Sequence, residues 1–413
     1  MRLNRRSVGV LALLSLPKVL PAQEVPVTAA THPIDAPQPS APTADPSEQG
    51  AQVLAGFGRG VTLRTNDRRF ALTLRGRIQS RFTLAEQPER PQTEFQIRRM
   101  RLVVQGNFLG DDFRYYVQLA FSNLDTEDDL RLPLRDAYGI WQGGRDLNVR
   151  FGQMKVPYGR QRVTSSSALQ FVDRALGVGE FNLDRDVGVI LFSRDLFGLG
   201  RRLTYELGLF GGDGRNRLST DFGLLHAVRV QVQPFGDFDD LVEADLQRLD
   251  RPRLAVALSA AYNHRTRRAR STFGATYQQP FDQYHLGADL LFKWRGFSLQ
   301  TELLYRRADE PLHDLGLDAM GQRRVEQARS GLGYYVQAGY LFTPRFEVGF
   351  RWGEVIPAEE STPVLQRARE LGAAINGYFL RHDFKLQADY FYLTGEDFTD
   401  GRHQARIQAQ VHF

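Results

Sequence analysis

Residues 70–82 read FALTLRGRIQSRF. Phe70, Leu72, Leu74, Gly76, Ile78 and Phe82 fall on one side of an extended chain, and Thr73, Arg75, Arg77, Gln79 and Arg81 fall on the other. Successive side chains of a strand point to opposite faces, so this segment carries one greasy face and one cationic face. The same period of two returns at Phe113–Phe121, Leu203–Leu209, Leu254–Tyr262, Tyr284–Trp294 and Phe384–Tyr392. Runs of about 9 to 12 residues outlast an ordinary soluble strand and match a tilted bilayer crossing.

Alternation alone also fits a soluble sandwich, so the connections carry weight. Tight turns at Leu109–Asp112, Gly143–Asp146, Trp294–Gly296, Thr343–Arg345 and Arg381–Asp383 take turns with longer polar loops near 86–93, 123–131, 264–280, 307–330, 353–368 and 394–401. Short turns at one rim and long loops at the other are the pattern of an outer-membrane barrel. The expected fold is therefore all-β, a transmembrane antiparallel β-barrel of about 16 strands. The last segment sets Ala405, Ile407, Ala409, Val411 and Phe413 against Arg406, Gln408, Gln410 and His412. It resembles the closing strand of bacterial outer-membrane proteins, whose terminal aromatic is read by the barrel-assembly machinery. One connection breaks the rhythm: Gly236–Arg251, where a short turn is due, suggests a short periplasmic helix and has no evident role.

Around this core the composition is permissive of little else. The 413 residues contain no cysteine, which removes disulfides, thiolate metal sites and cysteine nucleophiles. No run of about 18 apolar residues exists, so spanning helices are excluded. Of 53 basic residues only Lys18, Lys155, Lys293 and Lys385 are lysines, and the net charge of +5 is too small to argue for nucleic acid. Residues 1–22, with Arg2, Arg5 and Arg6 before the apolar run Val8–Leu16, read as a signal peptide. Residues 23–58, rich in proline, read as a periplasmic linker, and residues 59–413 as the barrel. The expected location is the outer membrane of a Gram-negative bacterium, in contact with lipid and lipopolysaccharide.

Barrel closure turns each polar face into a water-filled lumen. Arg75, Arg77 and Arg81, followed by Arg98, Arg99 and Arg101, then form a cationic wall of forked donors suited to phosphate or carboxylate. The competing reading pairs these arginines with Glu206, Glu302, Glu347 and Asp389, as in a general-diffusion channel. The longest connection without a strand pattern, Pro157–Arg185, carries apolar residues that favour an inward-folded constriction loop over an outer one. The acidic run Asp125, Glu127, Asp128, Asp129 reads as a solvated outer loop.

RRMRL (98–102), LRDAYG (134–139), FGQMKVPYGRQRVTSSSALQFVDRAL (151–176), RDVGV (185–189) and NGYFLRHDFKLQADY (376–390) together resemble the phosphate-selective porin O and P family. The resemblance implies a sixteen-stranded porin, typically a homotrimer, in which arginines lead small anions to a constriction. It places Arg98 and Arg99 at the family's paired arginine, Asp136 at its lumen aspartate, Tyr158 near its constriction aromatic and Arg174 on its inward third loop. With Arg75, Arg77, Arg101 and Lys155 these make the expected pore-lining set. A sugar porin is an alternative, and Tyr116 and Phe391 are the inward aromatics available to it. An outer-membrane hydrolase is a weaker one: there is no G-x-S-x-G elbow, and the Ser165–Ser167 cluster reads as turn chemistry. No enzyme activity, no cofactor and no metal is expected, and flux follows the solute's own gradient.

Overall fold

The computed structural model describes residues 50–86, 90–126, 132–217 and 222–413. The expected signal segment and residues 23–49 of the expected linker lie outside the described residues, as do Glu127, Asp128 and Asp129.

A hairpin comes first, β1 (Ala51–Gly56) and β2 (Gly60–Thr65), and then the barrel. Its strands are β3 (Ala71–Ala85), β4 (Gln92–Asn107), β5 (Phe113–Ala120), β6 (Leu134–Trp141), β7 (Asn148–Lys155), β8 (Arg185–Phe192), β9 (Leu203–Phe210), β10 (Leu225–Val232), β11 (Arg253–Arg268), β12 (Thr276–Trp294) and β13 (Phe297–Ala308). A second outer hairpin, β14 (Leu312–Leu317) and β15 (Arg323–Gln327), interrupts the sequence. The barrel resumes with β16 (Gly331–Leu341), β17 (Phe346–Pro357), β18 (Ala368–His382), β19 (Phe384–Thr394) and β20 (Arg402–His412). Each strand pairs antiparallel with the next, and β20 closes on β3 with Ile407 opposite Phe82 and Val411 opposite Ile78. Sixteen strands thus leave no open edge within the barrel.

The faces obey the alternation. Leu258, Leu286, Phe350, Ile375 and Ile407 are exposed on the outside, while Gln79, Ser259, Gln300, Gln337 and Gln387 are buried inside. Strand lengths depart from expectation: β5 to β10 have eight residues each, whereas β12 has 19. The β12–β13 turn needs only Arg295 and Gly296, both at positive φ, which is the two-residue geometry that matches strand twist.

Two readings need correction. Residues 51–56, assigned to the linker, form β1. The segment pairs with β2 across the turn at Phe57–Arg59, and β2 in turn pairs antiparallel with β3, with Val61 opposite Leu74. The proline-rich composition ends before this pairing begins. Gly236–Arg251 contains no helix and does not hang below the barrel. Its Phe238 packs on Ala255 and Leu291, and its Ala244 on Leu341 and Tyr378, so it turns into the lumen from the short-turn rim. Its leucines are spaced to meet the inner wall rather than to form a helix face.

Candidate functional site: the arginine-lined half of the lumen

The segment joining β7 to β8 folds into the barrel, as expected, and carries two short helices, α1 (Arg160–Val163) and α2 (Leu176–Phe181). Its apolar side chains fasten it to one wall. Val178 and Phe181 join Leu304, Tyr335 and Val355 in one cluster, and Phe171 packs on Phe391 and Ala374 in another. From beneath, the Gly236–Arg251 segment supports it. The Glu243 carboxylate accepts hydrogen bonds from Gln161 Nε2 (2.9 Å), the Gln170 amide (2.7 Å) and Gln337 Nε2 (3.0 Å). Lys293 and Arg253 are held by Asp240, and Arg253 also by Asp245.

On the other side the loop stands clear of the wall formed by β4 to β9, leaving a cavity of about 1060 Å³. Among the described residues, eleven arginines and Lys155 line it, against six carboxylates. Local geometry explains the density of charge. Between Gln79 and Ser80 the β3–β4 register slips, so that Gln79 faces Arg99 and Ser80 faces Ile97. Arg98 is the extra residue of a bulge, and two consecutive arginines face inward where strict alternation allows one. Both reach Asp173 on the loop, Arg98 Nε at 3.3 Å and Arg99 Nη2 at 3.0 Å, and Arg81 Nη1 joins them at 3.1 Å. One carboxylate therefore serves three guanidinium groups.

Deeper in, Arg101 grips Asp125 with two parallel bonds of 2.8 and 2.7 Å, and Arg185 grips Asp136 with two of 2.9 Å. Such forked pairs fix the plane of each guanidinium. Asp125, read as solvated, is buried: its turn, Asn123–Asp125, tucks into the mouth. Burial pushes the Asp125 carboxyl up, but the adjacent Arg101, with Arg135 and Arg99 beyond it, outweighs this and holds it well below the usual carboxylate range.

Three further cations meet neutral groups only. Arg77 donates to Ser166 Oγ (2.9 Å), Lys155 to the carbonyls of Val163 (2.8 Å) and Thr164 (3.4 Å), and Arg174 to the carbonyls of Gln161 and Thr164 (both 2.9 Å). Their charges encircle loop residues 163–166 without neutralising carboxylates. Of the expected set, the structure brings Arg98, Arg99, Arg101, Asp136, Lys155 and Arg174 to the cavity. Arg75 instead lies at the short-turn rim, bonded to the Gly58 carbonyl, and Arg77 is covered by Ser166. Tyr158 is fully buried between loop and wall, donating to the Leu286 carbonyl at 2.8 Å, so it does not line the passage. Arg135, Arg150, Arg162, Arg185 and Asp173 belong to the site and were not in the expected set. Arg135 adjoins Asp136, and its inward turn follows a register shift between Gln118 and Leu119 that sequence does not announce. Among the described residues no group of three histidine or acidic side chains is placed to hold a metal, and no helix is long and apolar enough to cross a membrane.

The model of the family described as phosphate-selective porin O and P matches residues 72–413. The chain belongs to that family. The fold agrees with solved outer-membrane channels at low identity. It is similar to an anion-selective porin from Comamonas acidovorans (TM-score 0.55, 11% identity, 83% of this chain and all of that one). It is also similar to the outer-membrane channel DcaP of Acinetobacter baumannii (TM-score 0.54, 12% identity, 83% and 97%). An uncharacterized protein of Aquifex aeolicus is 24% identical over 309 residues, 67% of this chain but 66% of that protein, slightly under two thirds of its length. Family and fold make this an outer-membrane porin, a channel rather than an enzyme.

Proposed function

We propose that this porin conducts small anions passively, phosphate and similar oxyanions among them, through the arginine-lined half of its lumen. The observation that carries the reading is the charge of the open cavity, among the described residues eleven arginines and Lys155 against six carboxylates. A wet, narrow passage of that sign raises the local concentration of anions and repels cations. Arg174, Lys155 and Arg101 all reach oxygens of loop residues 163–166, and cations gathered there suit an oxyanion shedding part of its water. The same reading takes the chain to be exported by its amino-terminal segment and inserted by the barrel-assembly machinery. It works as a homotrimer among lipid and lipopolysaccharide. A structurally similar channel, OmpT of Vibrio cholerae (TM-score 0.51, 11% identity, 83% of this chain and 99% of that one), is described in a trimer form.

Chloride current through single channels in planar bilayers, measured with added phosphate, tests the proposal. Millimolar phosphate is expected to block the current, and Arg174→Ala to weaken the block. Preference for potassium with no block by phosphate sinks the anion reading and leaves the barrel intact.

A further inference from the structure

Below the guanidinium ring the cavity changes character. Tyr116 on β5 and Tyr138 on β6 are directly paired across the strands and stack with centroids 5.2 Å apart and planes 19° apart. Both rings line the cavity and are partly exposed to it. They sit one side-chain row toward the short-turn rim from Gln118 and Asp136, which are themselves paired. Gln118 links the two levels: it accepts from Arg101 Nη1 at 3.2 Å and donates to Tyr116 Oη at 2.8 Å. Arg150 caps the lower side, its guanidinium carbon 5.6 Å from the Tyr138 ring centre and 5.1 Å from that of Phe192.

We infer that this step is a ring-binding subsite, and that the porin favours aromatic carboxylates over ringless anions of the same charge. The inference rests on the anion reading above and adds a substrate class to it. A benzoate-like solute that places its carboxylate at Arg101 and Lys155 lays its ring against the tyrosine pair. A bare oxyanion gains nothing there. Both forces are needed at one place: the guanidinium ring supplies charge, and the stacked rings supply aromatic surface, with the Tyr116 hydroxyl held by Gln118. An ordinary cross-strand aromatic pair would stabilise the sheet without facing open space. This pair lines a cavity of about 1060 Å³.

The test uses the full-length porin in planar bilayers, with chloride current titrated by benzoate, by acetate and by phosphate. Benzoate is expected to block at a concentration about three- to tenfold lower than acetate, the span that one aromatic contact supplies. In Tyr116→Leu, and separately in Tyr138→Leu, the benzoate-to-acetate ratio is expected to fall to about one. Tyr116→Phe, which keeps the ring, keeps the ratio. Equal block by benzoate and acetate in the parent, with phosphate block intact, overturns the ring subsite and spares the anion reading. A ratio that survives both leucine variants overturns it as well. Potassium preference with no block by any of the three anions removes both.

Discussion

Along β4 to β9 the inner wall faces open space, whereas along β11 to β19 the same kind of wall is covered by chain folded in from both rims. The residues are comparable, arginines, glutamines and carboxylates on inward positions of alternating strands, and the outcomes differ because of what meets them. On the covered side most arginines meet carboxylates. Arg160 and Arg229 share Asp289, Arg351 pairs with Glu370, and Arg406 with Asp389. Glu243, Glu302 and Glu347 take hydrogen bonds from neutral side chains and amides and are buried at 0–1% exposure. On the open side carboxylates are outnumbered. Composition alone cannot separate an open wall from a packed one, because the difference lies in where two connections fold.

The largest expected effect breaks the open side. The double variant Lys155→Gln, Arg174→Gln removes two cations that bond to backbone carbonyls rather than to a carboxylate, and chloride-over-potassium permeability is expected to fall roughly tenfold. Reversal potentials in a salt gradient measure it. Next, Asp173→Ala leaves Arg81, Arg98 and Arg99 around a lost counter-charge. The loop should loosen, with a stability loss of about 3 kcal/mol visible in thermal unfolding in detergent. Glu243→Ala strips the acceptor from three buried donors where the two inward segments meet. A loss of about 2 kcal/mol is expected by the same assay, with the permeability ratio retained, since packed chain covers this side. A large change in that ratio shows that the covered half carries current.

The smallest effect concerns acid. Asp125 has its folded pKa far below its unfolded value, so the stability it contributes is present above the unfolded pKa, near 4, and is lost only as pH falls below that. Among the described residues no histidine lines the cavity. Selectivity should therefore hold constant from pH 7.5 to 5, and a shift in reversal potential over that range contradicts the charge inventory.

Much of this was legible beforehand. Period-two runs such as Phe70–Phe82, with alternating short and long connections, lead to the barrel because each strand's two faces meet different solvents. The inward loop was readable from Leu169, Phe171, Leu176 and Phe181, which need a wall to pack on. What could not be read is decided by contacts between distant segments. Tyr158 looked like a lining aromatic, yet Leu286 and Tyr305, more than a hundred residues away, accept its hydroxyl behind the loop. The bulge at Arg98 and the partnership of Asp125 with Arg101 arise from register, which composition does not carry. Gly236–Arg251 became intelligible only beside Lys293, Arg253 and Gln170.

The most direct test is the reversal potential of single channels under a potassium chloride gradient at neutral pH. A value lying toward the chloride equilibrium potential agrees with current confined to the cationic half. A value lying toward the potassium equilibrium potential contradicts it.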